Sequence, residues 1–291
     1  VEAGYRTPLN QKNYKNCTEK RMKRVLPDSI DYELAFMVDL KEYIKNDGTL
    51  NLDLYRETLK DSNNIFSICR IAITESQIKY IEDAVSITRD LGLKPIVNLM
   101  KTFFVGDNRK SRFLDICNKC KPEAIYIADS FGTAMPEQVS EQVEEFSKFH
   151  EKIGVHAHDN LGLAFINSIY GIHSGAKIID ATLLGMGRGV GNTKTEQLLL
   201  YFEKPNRTKV TDKLRDHLEN YMKPLQKKYR WGHNLEYMYC GIHNIHPMYC
   251  QNLLSEYDYK EVTSLLKEIS QSEEKYNFNE AFYKQVSQKI K

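Results

Sequence analysis

Two histidines two residues apart, followed by an acid and an amide, form the clearest chemical pattern in the stretch VHAHDNLGLAFINSI. Residues i and i+2 of a β-strand project to the same side, so His156 and His158 at a strand end present two ring nitrogens together. Such a pair suits a divalent cation. Two hydrogen-bonded histidines without a metal are the alternative. Asp159 and Asn160 are predicted to cap a helix that begins at Leu161 and to orient the ligands.

A glycine-rich loop follows in the stretch DATLLGMGRGVGNTKTEQLLLYF. Gly187 and Gly189 allow the backbone to approach a ligand closely, with loop amides near a carboxylate or phosphate. Asn192 is predicted to precede a helix starting near Thr193, with Glu196 completing a capping box. The functional alternative places Asn192 on a metal or substrate oxygen.

The elements that must position these residues alternate between short apolar runs and amphipathic helical patterns. This alternation predicts an α/β fold with a parallel sheet covered by helices. Pro136 suits the first turn of one of the helices. The predicted strands are 1–5, 34–38, 66–71, 95–99, 124–128, 153–156 and 177–182.

The polar residues at the ends of these strands favour a barrel over an open sheet. An open doubly wound sheet concentrates its site at one switch point, whereas a (β/α)8 barrel gathers all strand ends around one mouth. Seven strands are one short of eight, so we expect a TIM barrel that lacks its first strand in this chain. The polar residues are Arg70, Lys101, Asp129, His156 and His158.

Several segments together resemble the HMG-CoA-lyase-like family of metal-dependent TIM-barrel lyases and aldolases, in the branch related to 4-hydroxy-2-oxovalerate aldolase. The two motifs described above occur in the family's order, and ADSFGTAMPEQV and VEAGYR also resemble family segments at strand ends. The resemblance covers about residues 1–202. It implies cleavage or formation of a carbon–carbon bond in a 2-oxo-acid-type substrate, through an enolate stabilised by the metal.

The resemblance also implies roles for individual residues. His156 and His158 would be metal ligands, with Asn192 a further ligand or neighbour. Glu2 would match an acid that orients a catalytic arginine, and Asp129 an acid that positions substrate or relays a proton. Mg²⁺ or Mn²⁺ fits such imidazole and oxygen ligands, with zinc as an alternative.

Two further strand-end side chains are candidates on placement alone. Arg70 suits bidentate pairing with a substrate carboxylate, although an ion pair inside the barrel is equally compatible with its position. Lys101 is placed to bind substrate or to form a Schiff base.

The family's first strand carries a metal-binding Asp and an adjacent Arg, and nothing before Glu2 supplies them here. A preceding segment of a longer protein is the favoured explanation, because an unclosed barrel would leave two exposed strand edges. A degenerate barrel that acts as a non-catalytic binding module is one alternative. A Claisen-type synthase that uses an acyl-CoA is the other.

Composition limits the remaining possibilities. A formal net charge of +2 gives no argument for nucleic acid or an anionic membrane, and no apolar run is long enough to span a bilayer. Six cysteines without a paired metal motif fit a reducing cytoplasm. We therefore expect a cytoplasmic enzyme with a small-molecule substrate, and homo-oligomerisation stays open.

The strand–helix alternation ends near residue 204. Residues 1–203 are predicted to form the catalytic barrel domain, and 204–291 a helical extension. Within the extension, the stretch WGHNLEYMYCGIHNIHPMYC raises the question of a second metal site at His233, His243 and His246. Their spacing matches no established ligand pattern, so packing is the simpler interpretation, with one of them reaching the active site as the alternative.

Overall fold

The computed structural model describes residues 1–8, 16–203 and 209–289. Seven strands pair in chain order, without the reversal of order that marks a doubly wound sheet. This is the strand order of a (β/α)8 barrel with one strand fewer, so the predicted fold class is confirmed. The strands are β1 (Glu2–Tyr5), β2 (Ala35–Asp39), β3 (Ile68–Ile73), β4 (Lys94–Leu99), β5 (Ala124–Asp129), β6 (Ile153–Ala157) and β7 (Ile178–Ile179).

Helices follow the strands and then continue alone into the C-terminal part. In α5, Pro136 occupies the first helical position, where its missing N–H is harmless, as predicted. The helices are α1 (Glu19–Met22), α2 (Leu52–Leu59), α3 (Ile81–Asp90), α4 (Asp107–Cys120), α5 (Pro136–Ser147), α6 (Ala164–His173), α7 (Thr195–Phe202), α8 (Lys209–His217), α9 (Lys223–Tyr229), α10 (Leu235–Ile242), α11 (Pro247–Glu256), α12 (Tyr259–Ser270) and α13 (Glu280–Ser287).

The chain divides into two compact units, and both are built from more than one segment. The first unit contains Val1–Ala128, Gln142–Gly154 and Gly175–Lys177, and the second contains Asp129–Glu141, Val155–Ser174 and Ile178–Lys291. The predicted domain boundary between residues 203 and 204 stays a prediction, and residues 204–208 lie outside the described ranges.

The strands from β2 to β5 pair in continuous register, whereas the β1–β2 pair contains a register shift between Glu2 and Tyr5. In the β2–β3 pair Met37 lies opposite Arg70, and in the β3–β4 pair Arg70 lies opposite Ile96. All four strand pairs from β1 to β5 are parallel. Parallel pairing places the carboxyl end of each strand at the same edge, where Lys101 follows β4. The predicted position of Arg70 at a strand end was wrong, because β3 continues to Ile73 and Arg70 is its third residue.

Two predicted helix starts were wrong. The helix after the histidines begins at Ala164 rather than Leu161, because Gly162 adopts a left-handed conformation that a right-handed helix cannot include. Asp159 nevertheless caps this helix by accepting a hydrogen bond from the Ala164 amide at 3.0 Å. The side chain of Asn160 takes no part in the cap and donates to the Tyr237 carbonyl at 3.1 Å.

The predicted capping box at Asn192 and Glu196 is also absent from α7. This helix begins at Thr195, and the Glu196 carboxylate accepts from the Leu184 amide instead. The cause is Thr182, whose backbone pairs with Thr193 and Thr195 and so keeps that segment extended. The strand β7, Ile178–Ile179, is shorter than the predicted strand 177–182.

The C-terminal helices α10 to α13 enclose their own hydrophobic core within the second unit. Its buried members include Tyr249, Leu253 and Leu265, together with Val190 from the glycine-rich loop. The glycine-rich loop is therefore anchored in the core of the C-terminal helices. No helix in the described ranges has the length and apolar character needed to cross a bilayer.

Candidate functional site

The histidine pair lies at the end of β6 in the second unit, with the two rings facing one another. The Nε2 atoms of His156 and His158 are 3.3 Å apart, and the ring planes meet at 78°. The i, i+2 spacing in a strand produces this convergence, as the sequence predicts. Two ring nitrogens therefore point toward one position in space.

Asp180, just after β7, fixes the orientation of His156. Its Oδ2 lies 2.8 Å from Nδ1 of His156. A carboxylate in this position holds the proton on Nδ1 and leaves the lone pair of Nε2 free to bind a cation, which is the arrangement found behind most metal-ligating histidines. The sequence analysis missed Asp180, although its position at the end of a strand could have indicated it.

His158 is held in its neutral form. Burial, with smaller electrostatic contributions from the neighbouring His156, Arg188 and His246, lowers the pKa of His158 well below the usual value of 6.5. Its Nδ1 atom is buried and has no hydrogen-bond partner in the described part of the chain. Neutral imidazole is the form in which histidine binds metals, and the predicted role of His158 as a ligand stays a prediction.

Asn192 completes the group through an isolated backbone bridge to His158. Its Nδ2 atom lies 3.3 Å from Nε2 of His156 and 3.3 Å from the Ala157 carbonyl oxygen. A side chain at Gly187 would collide with the Asn192 amide, so only glycine fits there. For Asn192 to bind a cation, its amide must turn so that the oxygen faces the histidines.

The three side chains fit one face of a divalent cation site. Two nitrogens bound to one cation at about 2.1 Å stand about 3.0–3.4 Å apart, which matches the observed separation of the ring nitrogens. Within the described ranges, no group of three His, Cys, Asp or Glu side chains is arranged to hold a metal. The donors offered here are two imidazoles and an amide, so water or substrate would have to supply the remaining ligands.

Asp129 lies at the end of β5 and is 2% exposed. Its two carboxylate oxygens accept hydrogen bonds from the Thr133 and Ala134 amides, both at 3.1 Å. Burial raises the pKa of Asp129 to about 6, and these hydrogen bonds oppose the rise. A carboxyl group that titrates near neutral pH is suited to accept and return a proton.

Arg70 and Glu2 form a second polar group, in the first unit. Nη1 of Arg70 lies 3.3 Å from Oε2 of Glu2, and the guanidinium stands 3.9 Å from the centroid of the Tyr126 ring. A side chain at Gly154 would collide with that ring, so glycine makes room for it. Glu2 thus forms an ion pair with Arg70, and its predicted role of orienting a catalytic arginine stays a prediction.

Lys101 follows β4 in the first unit and has a left-handed backbone, with φ of 55° and ψ of 39°. This conformation is unfavourable for a residue with a side chain and occurs most often where a site constrains the backbone. The proposed substrate-binding role of Lys101, like that of Gly187 and Gly189, stays a prediction.

The histidines of the C-terminal part serve different purposes. Nε2 of His233 lies 2.8 Å from Oδ2 of Asp159, the residue next to His158. His246 accepts from the Met248 amide at the start of α11, and His243 packs on the ring of Tyr239. His233 therefore contacts the residue next to His158, and its separation of 74 positions from Asp159 explains why no local pattern predicted this.

Comparison with known proteins agrees with this geometry. The family model described as HMGL-like matches residues 66–217, just over half of the chain. A 4-hydroxy-2-oxovalerate aldolase from Geobacillus genomosp. 3 is 36% identical over 131 residues, which cover 45% of this chain and 39% of that protein. The chain thus matches less than half the length of this curated relative.

Among solved structures, the N-terminal domain of a proposed aldolase from Bacteroides vulgatus is similar over most of its length. It has 27% identity and a TM-score of 0.68, with 90% of this chain and 86% of that chain covered. Pyruvate carboxylase from Rhizobium etli has 12% identity and a TM-score of 0.64, covering 89% of this chain and 29% of that chain. The second similarity concerns the fold alone.

Proposed function

Because the chain belongs to the HMGL-like family, we propose that it cleaves or forms a carbon–carbon bond in a 2-oxo acid with the help of a divalent cation. The observation that carries the proposal is the pair of converging ring nitrogens of His156 and His158, with Asp180 behind the first. The curated relatives named 4-hydroxy-2-oxovalerate aldolase support a 4-hydroxy-2-oxo acid as the substrate class.

His156, His158 and the amide oxygen of Asn192 would hold the cation. When bound, the cation supplies Lewis acidity at the 2-oxo group. Mg²⁺ or Mn²⁺ suits a site that shares imidazole with amide and water oxygens, and zinc is the alternative. Asp180 keeps the proton of His156 on Nδ1, so that Nε2 stays available.

In the cleavage direction, a base removes the proton of the 4-hydroxyl group and the bond between carbons 3 and 4 breaks. The electron pair moves onto the 2-oxo group as an enolate, and protonation of carbon 3 releases the shortened 2-oxo acid with an aldehyde. Asp129, with a pKa of about 6, is the proposed proton carrier. Its neutral form is also able to donate the proton.

Arg70 is the proposed cation for the negative charge of substrate or enolate, since a guanidinium pairs with a carboxylate through two parallel hydrogen bonds. Glu2 holds it in one orientation from 3.3 Å. Gly187 and Gly189 are proposed to let the loop backbone approach the substrate, and Lys101 to add positive charge. These roles are supported by the ion pair between Arg70 and Glu2, by the position of Lys101 after β4 and by the family's chemistry.

The test is an aldol-cleavage assay on the metal-stripped protein. With 4-hydroxy-2-oxovalerate and a panel of longer 4-hydroxy-2-oxo acids, pyruvate release is followed with lactate dehydrogenase. We expect release only after Mn²⁺ or Mg²⁺ is restored. Cleavage that persists in EDTA, or no cation-dependent cleavage across the panel, contradicts the proposal. Release of free CoA from acetyl-CoA with a 2-oxo acid would support the Claisen-type alternative instead.

A further inference from the structure

The second unit contains a cavity of about 260 Å³ beside the glycine-rich loop. We call it the arginine cavity, because two of its lining residues are arginines. One wall is the glycine-rich loop, and the other walls come from the end of α9, from α10 and from α11. The lining residues are Met186, Gly187, Arg188, Gly189, Tyr229, Arg230, Trp231, Tyr237 and Gln251.

Hydrogen bonds between its walls build this cavity. Trp231 is 8% exposed and donates from its indole nitrogen to the Leu184 carbonyl at 3.0 Å. The Gly232 amide donates to the Gly189 carbonyl at 3.3 Å. A Cβ atom at Gly189 would lie 3.0 Å from the Tyr237 ring, so the loop and α10 are in close contact. The cavity is therefore defined by fixed backbone and buried rings.

The charge of the arginine cavity is positive. Arg188 and Arg230 are its charged lining residues, and none of the nine described lining residues is an acid. Burial raises the pKa of Tyr237 and keeps its phenol neutral, so it remains a hydrogen-bond donor. Two guanidinium groups and phenol and amide donors around one cavity are the groups that proteins use to bind carboxylates and phosphates.

Arg230 is held in a strained backbone conformation, with φ of 57° and ψ of 35°, at the end of α9. Glycine is the usual residue at this position, because it has no Cβ atom to clash. Substitution of Arg230 by glycine is therefore expected to relieve strain at the same time as it removes the guanidinium.

The glycine-rich loop is shared between the arginine cavity and the histidine pair. A Cβ atom at Gly187 would meet the Asn192 side chain, and one at Gly189 would meet the Tyr237 ring. Both glycines line the arginine cavity, with Arg188 between them. The cavity therefore begins at a loop residue that adjoins Asn192 of the candidate site.

We infer that the arginine cavity binds an anionic group, a carboxylate or a phosphate ester, at the far end of the substrate. That the anion belongs to the substrate rests on the proposed function, whereas the binding of an anion in the cavity does not. The volume lies below the range of about 300–1,000 Å³ for whole small-molecule ligands, so the cavity accommodates one end of a molecule. The exposed faces of Met186 and Tyr229 would contact the apolar part beside the anion.

Trp231 makes the test specific, because it is the only tryptophan in the chain and it lines the cavity. Its fluorescence is measured in EDTA while phenyl phosphate, benzoate or uncharged phenol is titrated. We expect a saturable change with at least one of the two anions and none with phenol. The anion that saturates at the lower concentration identifies the phosphate or the carboxylate as the preferred group.

Two variants and a matched control assign the binding to the arginines. Arg188→Gln and Arg230→Gly should each weaken anion binding by about tenfold, since each removes a charge-assisted hydrogen bond. Arg230→Gly should also melt at an unchanged or higher temperature, because glycine relieves the strain. Lys227→Gln removes the same charge from α9 outside the lining residues and should bind normally.

No saturable change with either anion, an equal response to phenol, or unchanged binding in either arginine variant would overturn the inference. Because the titration contains EDTA and measures binding alone, it can fail while the cation-dependent cleavage assay succeeds. Anion binding without cation-dependent cleavage would support the cavity inference and contradict the proposed function. The two proposals are therefore tested separately.

Discussion

The Arg70–Glu2 pair of the first unit and the histidine pair of the second unit differ in how their polar atoms are matched. In the first unit, Arg70 and Glu2 carry opposite charges 3.3 Å apart, and Tyr126 covers the guanidinium. In the second unit, the ring nitrogens of His156 and His158 meet at the same separation. The first group is complete as a pair. In the second, both nitrogens can act as acceptors, and they attract one another only if one of them carries a proton.

This difference indicates what each group is built to receive. An ion pair that is already formed has little need of a cation. Two converging lone pairs, with Asp180 holding the only proton of His156 on the far nitrogen, favour a cation between them. The histidine pair is therefore the expected metal site, whereas the guanidinium of Arg70 is the group expected to face an anion.

The largest effect should come from His158→Ala. Since a ligand itself is removed, Mn²⁺ affinity should fall by more than about a hundredfold, the upper range for losing only an orienting residue. Cation-dependent cleavage should fall with it. Titration calorimetry with Mn²⁺ measures the affinity, and His173→Ala on the exposed end of α6 is the control. Full Mn²⁺ affinity in His158→Ala would show that the histidine pair does not bind the cation, and the contrast with the Arg70–Glu2 pair would no longer hold.

Arg70→Gln should separate catalysis from cation binding. We expect the cleavage rate to fall by about a hundredfold, a typical loss for one charge-stabilising donor, with Mn²⁺ affinity unchanged. The free energy of unfolding should fall by about 1–3 kcal/mol, because the substitution removes the charge-assisted hydrogen bond between the buried Arg70 and Glu2. Steady-state kinetics, Mn²⁺ titration and urea unfolding are the measurements.

Arg109→Gln is the matched control for Arg70→Gln, since Arg109 also pairs with a glutamate, Glu75, but at the surface. It should leave both kinetics and Mn²⁺ binding unchanged. A loss of Mn²⁺ affinity in Arg70→Gln comparable to that in His158→Ala would contradict the assignment of the cation to the histidines.

The pH dependence of stability should reveal Asp129. Burial raises its pKa to about 6 from an ordinary 3.8, so the folded protein binds this proton more tightly than the unfolded chain. The contribution of Asp129 is fully present below pH ~4 and is lost as the pH rises through about 6, a decrease of about 3 kcal/mol. The free energy of unfolding of the metal-free protein is measured with urea at a series of pH values. In Asp129→Asn, its decrease between pH ~4 and about 6 should be smaller by this amount. An identical slope in both proteins would show that Asp129 ionises normally.

The smallest effect should come from Asp180→Asn. Mn²⁺ affinity should fall by about 10–100-fold, because the amide no longer fixes the proton on Nδ1 of His156 as strongly. Calorimetric Mn²⁺ titration measures this, and Asp212→Asn at the surface of α8 is the control. If affinity stays at the wild-type value, the 2.8 Å contact serves packing and not cation binding.

Much of the fold could be predicted from the sequence, because strands and helices are specified by local periodicity. All seven strands were found near their observed positions, and α5 begins at Pro136 as expected. The errors arose where distant contacts override a local pattern. Thr182 holds the segment before α7 extended, and the left-handed Gly162 delays α6.

The convergence of the two histidines could be predicted from local sequence, since the two-residue repeat of a strand is a local property. The pairing of Asp180 with His156, of Glu2 with Arg70 across 68 residues and of His233 with Asp159 across 74 depends on how distant segments pack together. The arginine cavity likewise joins a loop near residue 188 to α9, α10 and α11. Such contacts depend on strand register and helix packing, which are set by the whole core and leave no periodic trace in the chain.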